Sequence, residues 1–280
     1  MPTLTGVYLY PVKSLRGIAL EESPVEPRGL RGDRRWMVTD SQFVFLSQRE
    51  EPRLALVEVL PTEEGLMVSG PGMEPLSTDY PGGPRKNARI WKDTVGAIAA
   101  GDEADDWFSR YLGFSCHLVY MDDEAIRAVN PQYAADGDVV SFADAFPLLL
   151  ASSESLNDLN SRLARPLPMN RFRPNLVVSG AEPFAEDRWK RIRIGEVLMD
   201  VSKPCARCSV TTVDQNTAER GNEPLRTLAS FRKFDGNVYF GQNLIPRSRG
   251  SLRVGDRLEI LEVHDRAFAI TMQGVMAVTP

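Results

Sequence analysis

Only three cysteines and two histidines occur among 280 residues, and that scarcity excludes several classes at once. Cys116 stands apart from the other two, so no secreted-type disulfide framework is available. A four-ligand structural zinc site would need a second Cys or His pair, and Cys116, His117 and His264 are scattered. Long apolar runs are missing too: residues 146–151 form a short one, far below membrane-spanning length. No charged region followed by a long apolar stretch opens the chain, so no signal peptide and a cytoplasmic location are expected. An excess of basic charge is also lacking. The net charge is −5 with Lys and Arg dispersed, which gives no overall attraction for nucleic acid.

What is present is an ordinary globular composition, 42% hydrophobic and 25% charged, in a chain long enough for one large or two medium cores. Short apolar runs at residues 7–10, 35–39, 43–46, 54–60 and 66–69 alternate with Pro/Gly punctuation such as Gly70-Pro71-Gly72 and Pro81-Gly82-Gly83-Pro84. This pattern predicts short strands in a barrel or sandwich. One helix interrupts it over 102–112, with Ala104, Trp107, Phe108, Tyr111 and Leu112 on one face, acids in the first turn and Gly113 as its stop. A strand at 117–121 and a polar connection over 122–138 then predict the end of a first domain, dividing the chain into 1–122 and 123–280.

The second half continues in the same style. A helix is expected from about Ser153, with Leu156, Leu159 and Leu163 at helical spacing. Strands are expected at 175–178, at 192–194 and through the alternating Val197, Met199 and Val201. A further helix starts at Glu223-Pro224 with Leu225, Leu228 and Phe231 as its stripe, and residues 252–261 read as a small β-barrel closing strand after a turn. Residues 266–280 carry few signals. The expected class is mainly β with a few helices (α+β).

The richest stretch is 204–214, Pro204-Cys205-Ala206-Arg207-Cys208-Ser209-Val210-Thr211-Thr212-Val213-Asp214. A thiolate is a soft ligand and a nucleophile, and Lys203 and Arg207 supply the cationic surroundings that favour it. The β-branched run 210–213 predicts a strand, whereas a thioredoxin-type dithiol wants a helix N-terminus there. On the motif alone, four readings stay open: zinc, a redox dithiol, two inert thiols at a barrel rim, and a cofactor metal that takes one thiolate while its own organic ligand holds the rest.

Several further motifs narrow the choice. Tyr10-Pro11-Val12-Lys13-Ser14, Gly32-Asp33-Arg34-Arg35-Trp36 and Gln48-Arg49-Glu50-Glu51-Pro52-Arg53-Leu54 resemble the MOSC N-terminal β-barrel domain. Leu156-Asn157-Asp158-Leu159-Asn160, Asn170-Arg171-Phe172-Arg173-Pro174-Asn175, the 204–214 stretch, Phe240-Gly241-Gln242 and Val254-Gly255-Asp256 resemble the MOSC domain. The similarity runs in order along nearly the whole chain and is to YcbX-like proteins and amidoxime-reducing components. It implies a molybdenum–pterin cofactor (molybdopterin) completed by one cysteine, which falls on Cys208. It further implies that Lys13 and Ser14 contact the pterin phosphate, that Arg34, Arg173 and Arg171 supply guanidinium forks, and that Asn175 and Asp144 line the cofactor. Asp144 is followed here by Ala145-Phe146, so the hydroxyl contacts of some relatives are absent. Arginines gathered into a few motifs of an acidic chain likewise suggest an anion pocket.

The implied activity is reduction of N-hydroxylated compounds (amidoximes, hydroxylamines, hydroxylated bases) with electrons from a separate donor, a ferredoxin- or flavin-reductase-type protein. No cysteine follows Cys208, so no iron–sulfur cluster is expected in this chain. Pyridoxal phosphate is not expected either, although MOSC domains also occur in molybdenum cofactor sulfurases. That kinship leaves an alternative, a cofactor or sulfur carrier without turnover of its own. Neither His117 nor His264 is expected to act in catalysis.

Overall fold

The computed structural model describes residues 1–264, so residues 265–280, including the signal-poor tail 266–280, lie outside it. Its largest sheet has nine strands. Along the main path these are Leu258–Val263, Trp189–Ile194, Val197–Ala206, Asn237–Pro246, Leu148–Ser152, Leu176–Ser179, Thr3–Leu9 and Ile18–Leu20, with Lys233–Phe234 paired off the path. The only named parallel pair in it, Leu148–Ser152 with Leu176–Ser179, is joined by the helix Ser153–Ser161, as a parallel crossover requires. The Ser152 hydroxyl caps that helix by accepting from the Glu154 and Ser155 amides. Val197, Met199 and Val201 alternate inward and are joined by Leu4, Val7, Leu150, Val178, Ile192 and Leu244 in one core.

A five-stranded sheet runs Arg85–Ile90, Asp93–Ala99, Cys116–Tyr120, Trp36–Asp40 and Val12–Lys13. Two three-stranded sheets complete the described chain, Gly250–Arg253 with Glu22–Glu26 and Gly29–Leu30, and Glu58–Pro61 with Gly65–Ser69 and Leu76–Asp79. The mainly β class holds. Helix Asp102–Leu112 forms as the periodicity predicts: its five apolar residues are buried, and Gly113 closes it in the left-handed conformation. Thr3–Leu9 pairs with Leu176–Ser179, and Glu22–Glu26 with Gly250–Arg253, so these early strands are built into sheets with strands of the second half, while Val12–Lys13 between them pairs with Trp36–Asp40. Among the described residues no helix is long and apolar enough to cross a membrane.

Five local expectations are corrected. Residues 210–213 are not a strand but part of the short 3-10 helix Ser209–Thr212. The Thr211 and Thr212 hydroxyls donate to the Cys208 and Ser209 carbonyls at 2.9 and 2.7 Å, and these local bonds override β propensity. Residues 43–46 make only isolated bridges, because the Asp40 carboxylate accepts from the Gln42 and Val44 amides and folds the segment into a turn. Pro52–Leu56 is a 3-10 turn, proline having set its first position, and the strand begins only at Glu58. The closing strand expected within 252–261 after a turn forms, but only as Leu258–Val263 behind a turn at Gly255 with φ of 99°; residues 252 and 253 end a strand of a different sheet. The helix after Glu223-Pro224 is only Leu225–Leu228.

Candidate functional site

A cleft opens where loops of both halves meet. From the first half it is lined by Lys13, Ser14, Arg34, Ser47 and Arg49, and from the second by Asp144, Arg173, Asn175, Cys205, Arg207 and Cys208. Five cationic side chains and one carboxylate therefore face it, in a chain of net charge −5. Three of its residues, Ser14, Arg34 and Arg173, have φ of 69°, 50° and 53°. That left-handed region is uncommon for residues other than glycine, and such outliers cluster at binding sites.

The floor is a buried polar network. Asn175 enters from the start of Leu176–Ser179; its Nδ2 donates to Asp33 Oδ1 at 3.0 Å and to the Tyr8 carbonyl at 3.2 Å. Its Oδ1 accepts from Arg34 Nη1 at 3.1 Å and from the Leu149 amide at 3.2 Å. Asp33 also accepts from the Tyr10 amide at 2.9 Å and pairs with Arg34. Burial pushes the Asp33 carboxyl above its ordinary value despite Arg34. The guanidiniums of Arg34 and Arg173 each lie 4.4 Å from the Tyr10 ring. Burial raises the Tyr10 phenol to about 12 and lowers Arg173 to about 10. Arg173 Nη1 reaches Gln215 Oε1 at 3.4 Å, while its Nη2 is buried without a hydrogen-bond partner. A buried donor left unmet beside an electropositive cleft is suited to an anionic group seated there.

On the opposite wall Lys13 is buried and ion-pairs with Asp144, whose side chain is 62% exposed. Burial lowers the Lys13 ammonium pKa, and Asp144 works against that shift. Arg127 fixes the Asp144 segment, its Nη1 donating to the Ser141 carbonyl at 2.9 Å and its Nη2 to the Asp144 carbonyl at 3.0 Å.

Cys205 ends the long strand Val197–Ala206, and Cys208 starts the 3-10 turn. Arg207 Nη1 donates to Cys205 Sγ at 2.9 Å, and Arg49 Nη1 lies 3.4 Å from Cys208 Sγ. Each sulfur thus has its own guanidinium as a hydrogen-bond donor. Cys116 is elsewhere, fully buried, its thiol pushed up to about 12 by burial. His117 is also remote, paired with Asp105 at 2.5 Å and stacked on Phe43.

Lys13, Ser14, Arg34, Asp144, Arg173, Asn175 and Cys208 accordingly converge on one cleft. Arg171 does not line it. It sits behind the cysteine loop, where Nε donates to the Thr211 carbonyl at 2.9 Å, Nη2 to the Glu223 carbonyl at 3.3 Å, and Nη1 lies 3.4 Å from Asp214. Sequence reasoning left two residues without a role. Arg49 lay inside the quoted 48–54 motif, which was its signal. Trp91 hydrogen-bonds Asp144 and has no motif around it.

Among the described residues no three His, Cys, Asp or Glu side chains converge to hold a metal. The cleft does offer two soft sulfur atoms, Cys205 and Cys208, beside five cationic side chains, a donor set compatible with a group that carries negative charge.

Comparison with known proteins gives the family. Residues 1–115 match the MOSC N-terminal beta barrel domain and residues 137–259 the MOSC domain. The chain is 36% identical over 277 residues to mitochondrial amidoxime reducing component 2 of Rattus norvegicus, covering 91% of this chain and 82% of that protein. It is 31% identical over 280 residues to mitochondrial amidoxime-reducing component 1 of Homo sapiens, covering 92% and 83%. Similarity to molybdenum cofactor sulfurase of Danio rerio, 32% over 271 residues, covers 88% of this chain but 32% of that protein. With both domain models matched in order and whole-length identity of this kind, the chain belongs to the MOSC-domain family of the amidoxime-reducing components.

Proposed function

We propose that this protein binds a molybdenum–pterin cofactor and reduces N-hydroxylated compounds with electrons from a separate donor protein. The observation that carries this reading is the convergence of the Cys208 thiol and five cations, one of them the buried and partly unpartnered Arg173, on a single cleft. Cys208 would hold the metal, with Arg49 Nη1 orienting the sulfur through its 3.4 Å contact. Arg34, Arg173 and Lys13 would hold the pterin phosphate, with Ser14 beside them, while Asp33 and Asn175 lock the Arg34 fork. Arg171 would act through the loop it braces rather than by touching the cofactor.

When bound, the metal would supply the two-electron couple that reduction of an N–O bond requires. For an amidoxime the balance is one substrate, two electrons and two protons giving one amidine and one water. The similarity to amidoxime-reducing components supports this substrate class. The sulfurase similarity favours a second reading, a carrier that hands the cofactor on.

One experiment separates them. Molybdenum and pterin are measured per chain in wild type, Cys205→Ala and Cys208→Ala, each assayed with a chemically reduced dye and benzamidoxime. Near-stoichiometric metal with turnover lost only in Cys208→Ala is the expected result. Bound cofactor without turnover in wild type would establish the carrier, and no cofactor in any of the three would sink both readings.

A further inference from the structure

We propose that Trp91 is the substrate-facing aromatic wall of the cleft and biases it toward flat, conjugated N-hydroxylated compounds over small aliphatic ones. The proposal rests on the reductase reading above and names a specificity-determining residue for it.

Trp91 breaks two local rules. The chain has four tryptophans; Trp36, Trp107 and Trp189 are 1%, 3% and 2% exposed, whereas Trp91 is 46% exposed. It also opens the two-residue hairpin between Arg85–Ile90 and Asp93–Ala99, whose ends pair as Ile90 with Asp93. There its φ is 55°, in the left-handed region where such hairpins favour Asn or Gly and where a bulky side chain is strained. A large apolar ring left half exposed on a strained backbone runs against folding stability, and violations of this kind concentrate at functional sites.

Its surroundings say which function. Trp91 Nε1 donates to Asp144 Oδ1 at 3.3 Å, and the ring packs against Phe45 with centroids 4.9 Å apart. The Arg49 guanidinium lies 4.4 Å from the indole, and the same guanidinium reaches Cys208 Sγ at 3.4 Å. The exposed indole is thus separated from the candidate metal-binding sulfur by one side chain. Asp144 and Arg49 line the cleft itself, so the indole stands at its lip. An arene conjugated to a C=N–OH group is flat and can stack on such a ring, and an amidinium product would gain from its π face. An aliphatic amidoxime offers the same N–O bond but no ring to stack.

The test uses the holoprotein as wild type, Trp91→Asn and Trp91→Phe, with benzamidoxime and acetamidoxime as probes. Asn suits the left-handed hairpin position, so that variant removes the ring without adding strain. In Trp91→Asn the kcat/KM preference for benzamidoxime over acetamidoxime should fall about five-fold, mainly through KM, and Trp91→Phe should restore most of it. Benzamidoxime should quench wild-type tryptophan emission, and this quenching should vanish in Trp91→Phe, which keeps only the three buried indoles. An unchanged preference in Trp91→Asn, or undiminished quenching in Trp91→Phe, would overturn the proposal. Should wild type reduce neither compound, the reductase reading fails and the titration decides the wall. Quenching by benzamidoxime but not acetamidoxime then supports it, and quenching by neither overturns it.

Discussion

At the scale of single residues, Glu186 is a carboxyl held in an unfavourable place. It is fully buried; Oε1 accepts from Ser155 Oγ at 2.7 Å, while Oε2 has no partner. Burial, helped by neighbouring Asp187, raises its carboxyl from 4.5 to about 7. The folded state therefore holds this proton more tightly than the unfolded chain does. Its stabilising effect is complete below the unfolded value of 4.5 and is lost as pH rises through about 7. Glu186→Gln, which keeps the shape and removes the titration, should match wild type near pH 4. At pH 8 it should exceed wild type by on the order of 2–3 kcal/mol in a urea titration. Equal pH profiles for the two proteins would count against this account. Nothing in the sequence marks Glu186, because its character comes from burial. Lys13, Arg34 and Cys208 were legible only because each sits in a motif with a known chemical need. Trp91 has no such neighbours and became visible through its exposure and its φ.

Elements were legible where periodicity decided them and illegible where side chains bonded locally. Helix Asp102–Leu112 and the alternation of Val197, Met199 and Val201 follow from patterns that packing reinforces. Ser209–Thr212 and the turn after Asp40 went the other way, since hydroxyls and a carboxylate captured nearby backbone groups. Gly241 shows a motif residue whose reason is geometric. It lies inside Asn237–Pro246 with φ of 78°, and an added Cβ would come 2.6 Å from the Leu150 carbonyl oxygen on the neighbouring strand. That oxygen is backbone and cannot swing away. Gly241→Ala should therefore destabilise the protein by about 2–4 kcal/mol, read as a lower urea midpoint, through steric contact and a disfavoured φ together. An Ala variant as stable as wild type would show that the strand tolerates a side chain there.

At the scale of the whole molecule, the cleft exists only because the chain returns on itself. The boundary proposed near residue 122 falls in the loop after Cys116–Tyr120, yet Lys13, Arg34 and Arg49 come from before it and Arg173, Arg207 and Cys208 from after it. Sequence order could name these residues but could not bring them together; the pairing of Thr3–Leu9 with Leu176–Ser179 does that. One consequence concerns charge. Holding five cations around one cleft opposes their mutual repulsion, and a bound anion relieves it, whether or not a metal follows. The cofactor-free protein should therefore be stabilised by pyrophosphate alone. A ligand present at a hundred times its dissociation constant contributes about 2.7 kcal/mol, enough to raise Tm measurably. Arg173→Ala removes the buried donor that lacks a partner, so its pyrophosphate shift should be much smaller than that of wild type. The wild-type shift should also shrink as salt is added, since screening weakens the attraction. A pyrophosphate shift of equal size in Arg173→Ala would place the anion elsewhere on the surface and separate the cationic cleft from phosphate recognition.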